Sequence, residues 1–94
     1  MIKEFIFQGF DPEQKTKDLA FKRFQKIYFS VPNDSIPKAF IEKQGKVFSG
    51  EVEIISNQGT FTAKASGQNP DSVINDLFQD VSEKLATWRK TRFL

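Results

Sequence analysis

The 94-residue sequence contains no cysteine and no histidine. Without cysteine there can be no disulfide and no thiolate metal site, and nothing conflicts with a reducing compartment. Without histidine the commonest general base and the commonest transition-metal ligand are both missing. A nucleophile–base pair would have to come from lysine or carboxylate schemes, so no enzyme activity, small-molecule substrate, cofactor or metal is expected. Long apolar runs are absent as well: no window approaches the ~20 apolar residues of a membrane span. The opening MIKEFIFQ carries acid and base inside its apolar run, unlike a signal peptide. There is no internal repeat, linker or low-complexity segment, and a soluble cytoplasmic protein without a membrane partner is expected.

What the chain has is phenylalanine: eleven, with one Trp and one Tyr. Its length suits one domain, residues 1–94. A domain of this size buries about 60–65% of its unfolded surface, enough for one modest core. Fourteen basic residues against twelve acidic ones leave a net charge of only +2. Any basic surface must therefore arise from segregation of charge in the fold.

Residues 2–8 fit a strand, with Phe5 and Phe7 on one face and Ile2 and Ile6 on the other. Apolar residues on both faces predict a strand that is covered on both sides or lies centrally. Gly9 breaks it. Asp11-Pro12-Glu13-Gln14 then reads as a helix start, with Asp11 as cap and Pro12 at the first helical position. Ala20, Phe24, Ile27, Tyr28 and Val31 form one helical stripe. Pro32 ends the helix, with Ser30 or Val31 as its last members.

The stretch Pro32–Pro37 reads as a loop, and Lys38–Glu42 as a strand. Gln44-Gly45-Lys46 suits a hairpin turn. Phe48, Val52 and Ile54 then alternate with Glu51 and Glu53, the acids facing outward as solvated residues do. Ser56-Asn57-Gln58-Gly59 is a second turn.

The stretch "GTFTAKASGQNPDSV" shows the cleanest period of two, Phe61, Ala63 and Ala65 against Thr60, Thr62, Lys64 and Ser66. It passes directly into a capped helix, with Asn69 as cap and Pro70 at the first position. The small residues Ala63, Ala65 and Gly67 are expected to let that helix approach the sheet. Ile74, Leu77, Phe78, Val81, Leu85 and Trp88 make its stripe, which gives Trp88 a packing role. Tyr28 is expected in the core with its hydroxyl reaching water. The order is β-α-β-β-β-α: an α+β fold in which both helices pack on one face of a four-stranded sheet.

Two groups of basic residues stand apart from these stripes. Lys15, Lys22 and Lys26 fall at i, i+7 and i+11 on the first helix, opposite its core face, with Arg23 beside them. This is a solvated helix face or a phosphate-binding one. Lys84, Arg89, Lys90 and Arg92 crowd the last turns of the second helix, where they also offset the negative end of its dipole. Asp76, Asp80 and Glu83 interleave with the second group, and Phe93 and Leu94 are expected to fray. On the far sheet face the alternation leaves Val47 and Ile55, with Ile2 or Ile6, as a candidate surface for a homodimer or another protein.

The element order at this length resembles the ribosome hibernation family: hibernation promoting factor and ribosome-associated inhibitor A, also called sigma-54 modulation proteins. "GEVEIISNQGTFTAKASGQNPDSVINDLF" is similar to that family's third and fourth strands and last helix, including its "A-x-G-x-D/N" pattern, and "FKRFQKI" resembles its "K-F-x-K-L" run. The resemblance spans essentially the whole chain and corresponds to the family's short form. It implies a partner, the rRNA of the small ribosomal subunit, bound in the mRNA and tRNA channel so that translation is inhibited under stress. It also implies RNA binding by Lys15, Lys22, Arg23, Lys26, Arg89, Lys90 and Arg92. One departure is plain: Asp80 and Glu83 stand where the family's last helix is usually basic, and an acid facing a phosphate removes a contact and adds repulsion. The double-stranded RNA-binding domain has a related order but needs lysines at the start of its last helix, where this chain has Asn69-Pro70-Asp71-Ser72.

Overall fold

The computed structural model of the chain describes residues 5–28, 31, 34–57 and 59–91. Its elements are β1 (Phe5–Gln8), α1 (Gln14–Tyr28), β2 (Ile36–Gln44), β3 (Val47–Ser56), β4 (Gly59–Gly67) and α2 (Pro70–Thr91). The strands form one sheet in the order β1-β2-β3-β4. β1 runs parallel to β2, and the other two pairings are antiparallel. The element order, the α+β class and the two helices on one sheet face all agree with the sequence.

The period of two divides the sheet. Phe5, Phe7, Pro37, Ala39, Ile41, Val52, Ile54 and Ala63 point toward the helices; Ile6, Lys38, Phe40, Glu51, Glu53, Thr62 and Lys64 point away. α2 fills most of the core, with Val73, Ile74, Leu77, Phe78, Val81 and Leu85 all inaccessible to water. α1 adds Ala20, Phe24 and Ile27. Phe78 stacks on Phe5 with ring centres 6.1 Å apart, and Phe24 meets both rings edge-on. Each side chain buried this fully contributes about 1.5–3 kcal/mol relative to exposure.

The start of α2 follows the sequence reading. Asn69 Oδ1 accepts from the N–H groups of Asp71 (2.8 Å) and Ser72 (3.3 Å), and the Asn69 carbonyl takes the first helical bond from Val73. The start of α1 does not. Its first bonds run from Thr16 and Lys17 to the Glu13 carbonyl, so Asp11 and Pro12 precede the helix. Phe10 explains the delay. Its ring is held between Phe7 (5.9 Å) and Phe48 (4.9 Å), and Gly9 turns there at φ +80° against Lys43. The chain thus stays at the sheet through Phe10 and reaches helical geometry only after it.

Four further expectations are corrected. β1 is an edge strand covered on one face, with Ile6 exposed on the other. Tyr28 is exposed rather than in the core, because at ~100° per residue it stands about 100° around α1 from the buried Ile27, off the face of Ala20, Phe24 and Ile27. Val31 packs against the core from a bend, outside the helix. Ile36 and Pro37 belong to β2, paired with Ile55 and Ile54. The expectations for Ile2, Ser30, Pro32, Asn33 and Gln58 concern positions outside the described residues, as do those for Phe93 and Leu94.

Both hairpins have two-residue loops. In the first, Gln44 pairs with Val47 across Gly45 and Lys46. Gly45 alone has positive φ (+64°), the pattern of a type II′ turn, which matches the twist of the strands. The second hairpin closes on the Ser56–Gly59 pair, and Asp34 braces it by accepting from the Asn57 N–H at 2.9 Å.

Candidate nucleic-acid interface

Two polar ties fix how the helices lie together. Thr16 Oγ1 donates to Asp71 Oδ1 at 2.7 Å, and Thr16 is fully buried. Farther along, Arg23 donates through Nε (3.1 Å) and Nη2 (2.8 Å) to Asn75 Oδ1. Both ties advance in the same sense along the two helices, so α1 and α2 run in the same general direction. Thr16, Asp71 and Asn75 carry no signal in the sequence, because only the pairing of the helices makes them partners.

Lys15, Lys22 and Lys26 are all exposed. At 100° per residue they occupy one strip of α1, turned away from Ala20, Phe24 and Ile27. Lys15 has a 3.7 Å ion pair with Glu13, both ends largely in water, which contributes little. Arg23 differs from the three lysines. It is half-buried and committed to Asn75, so its first role is to hold the helices together.

Arg89 and Lys90 are exposed in the last turn of α2. With the N-terminal ends of the helices tied, the 22-residue α2 outruns the 15-residue α1. At ~1.5 Å per residue the excess is about 10 Å. The two basic groups are therefore displaced along the helix axes, and Arg89 and Lys90 do not stand beside Lys22. Arg92 lies outside the described residues.

The acids of α2 separate from the α1 strip. Asp80, Glu83, Lys84 and Thr87 gather with Thr60, Phe61, Thr62 and Trp88 in an open groove of about 530 Å³ along the β4 edge. Lys84 pairs with Asp80 at 3.2 Å and donates to the Thr62 carbonyl. Trp88 packs edge-on against Phe61 with ring centres 6.0 Å apart, in the packing role expected of it. Asp71 and Asn75 mark the α1-facing flank of the helix, so Asp80 and Glu83 sit on the opposite one.

The open face of the sheet carries Lys38 beside Glu53 and Glu51 beside Lys64, two opposite-charge cross-strand neighbours. Ile6, Ile36, Val47 and Ile55 are its exposed apolar members. Val47, Ile55 and Ile6 appear there as the alternation required. Among the described residues no group of three His, Cys, Asp or Glu converges as a metal site would need. No helix among them is long and apolar enough to cross a membrane.

No protein-family model matches the chain. No curated protein matches it either. Solved structures do. A ribosomal subunit interface protein from Coxiella burnetii is 13% identical, with TM-score 0.73 over 93% of this chain and 96% of that one. The N-terminal domain of Protein Y from Thermus thermophilus is 11% identical, with TM-score 0.76 over 93% of this chain and 97% of that one. The resemblance drawn from the sequence is thus met at the level of structure, and this chain has the fold of a ribosomal subunit interface protein and of the Protein Y N-terminal domain.

Proposed function

We propose that this protein is a non-enzymatic, ribosome-associated regulator that binds rRNA of the small subunit in the mRNA and tRNA channel and inhibits translation under stress. The observation that carries the reading is the fold it shares, over nearly its whole length, with a ribosomal subunit interface protein. The exposed strip of Lys15, Lys22 and Lys26 supports it, because lysines on a rigid helix can follow a phosphate backbone. Arg89 and Lys90 supply a second contact along the axis of α2, and Arg92 is proposed to extend it. Arg23 assists mainly by holding α1 against α2.

Co-sedimentation with purified small subunits at about 50 and 200 mM salt tests the proposal. Binding should weaken steeply with salt. Lys15→Glu, Lys22→Glu and Lys26→Glu together should lower the slope of log affinity against log salt by about 2–3, as loss of three phosphate contacts requires. No pelleting at either salt would exclude the ribosomal role. The second reading would then hold: a protein-interaction module on the same fold, favoured by the apolar residues exposed on the open sheet face.

A further inference from the structure

The open sheet face has a pattern that the ribosomal reading does not use. Two of its rows lie side by side across β2 and β3. In the first, Ile36 pairs with Ile55; in the next, Lys38 pairs with Glu53. Ile36 is 56% exposed and Ile55 39%, at the end of the two inner strands.

We propose that this face binds a second copy of this chain, related by a two-fold axis that runs along the strands between β2 and β3. That rotation lays β2 of one copy over β3 of the other and keeps the rows level. Ile36 then faces the second copy's Ile55, and Ile55 faces its Ile36. Lys38 faces the second copy's Glu53, and Glu53 faces its Lys38. Each contact occurs twice, as an isologous interface demands. The four charges alternate in sign around a square, beside a square of four isoleucines. The occupant is set by complementarity in these two rows, where each charge meets its opposite and each isoleucine an isoleucine.

Aligned sheets cross at about 30°, so close opposition holds only near the crossing point, here the two rows named. Strands of four, nine, ten and nine residues, ~4.8 Å apart at ~3.3 Å per residue, offer at most about 500 Å² per copy. That is below the ~800 Å² per partner of standard stable complexes, so the dimer is weak and concentration-dependent. The helices lie on the opposite face, and loss of ribosome binding would leave this inference untouched.

Sedimentation equilibrium from about 10 µM to 1 mM should give an average mass rising from 10.8 kDa toward twice that value. Lys38→Glu places acid opposite acid, and Glu53→Lys places base opposite base. Each single variant should dissociate at least about tenfold more readily, with its far-UV circular dichroism unchanged. An equimolar mixture of the two should recover a dimer, because Glu at 38 then faces Lys at 53 and Glu53 faces Lys38. Damage to the individual folds could not produce that recovery. A wild-type mass fixed at one chain throughout overturns the proposal, whether or not the variants fold. So do single variants that dimerise like wild type, and so does a mixture that stays monomeric.

Discussion

Gly50 and Gly67 illustrate how differently one residue type can be constrained. A Cβ on Gly50 would lie 2.8 Å from the Phe40 carbonyl oxygen and 2.9 Å from Leu77 Cδ1. The side chain of Leu77 can shift, but the backbone oxygen of a central strand cannot. A Cβ on Gly67 would meet Val73 Cγ2 at 3.6 Å, an ordinary contact, and Gly67 has no positive φ. Gly50→Ala should therefore cost about 1–3 kcal/mol in urea unfolding, while Gly67→Ala should be neutral or stabilise by up to ~1 kcal/mol. The sequence points to Gly67, which does lie under Val73 of α2, and not to the more tightly held Gly50. Gly67 sits at an obvious strand–helix junction, whereas Gly50 interrupts a strand with no local sign that Leu77 and Val73 lie over it. Ala63, which the alternation did identify, is buried as expected.

At the scale of elements, local chemistry was legible where it acts alone. Asn69 and Pro70 begin α2 as their types dictate, and nothing nearby competes. Asn69→Ala should cost about 1 kcal/mol, read as a lower thermal midpoint. Asp11 and Pro12 offer the same chemistry, yet α1 begins at Gln14 because Phe10 is held in the Phe7–Phe48 cluster, which no local rule can reveal. β1 shows the same limit. Apolar residues on both faces imply a covered strand, but Ile6 is exposed because both helices pack on the other face, and Ile36 and Ile55 of the inner strands are exposed on the same face as Ile6. The tie between the helices is likewise tertiary. Thr16→Val removes a buried hydroxyl and strips Asp71 of a donor, so about 1–2 kcal/mol should be lost. Thr16→Ser keeps the donor and should recover most of it in the same unfolding assay.

For the whole molecule, the question is which charges face a ribosome. By composition the chain is nearly neutral, and by sequence Asp80 and Glu83 weaken the case for RNA binding. In three dimensions they lie toward the β4 edge, Asp80 beside Lys84, while Lys15, Lys22 and Lys26 lie on the outer strip of the neighbouring helix. Packed helix axes are ~8–10 Å apart, and the two flanks face apart. The acids thus sit on the order of 15 Å from the lysine strip, beyond the ~10 Å Debye length at 0.1 M salt. If the α1 strip is the phosphate contact, Asp80→Asn with Glu83→Gln should change small-subunit affinity by less than about threefold near 0.1 M salt. Lys22→Glu with Lys26→Glu should reduce it by more than tenfold under the same conditions. The opposite ranking, with a large gain from neutralising the acids, would turn the β4-side flank of α2 toward the RNA and assign the main contact to α2 instead of α1.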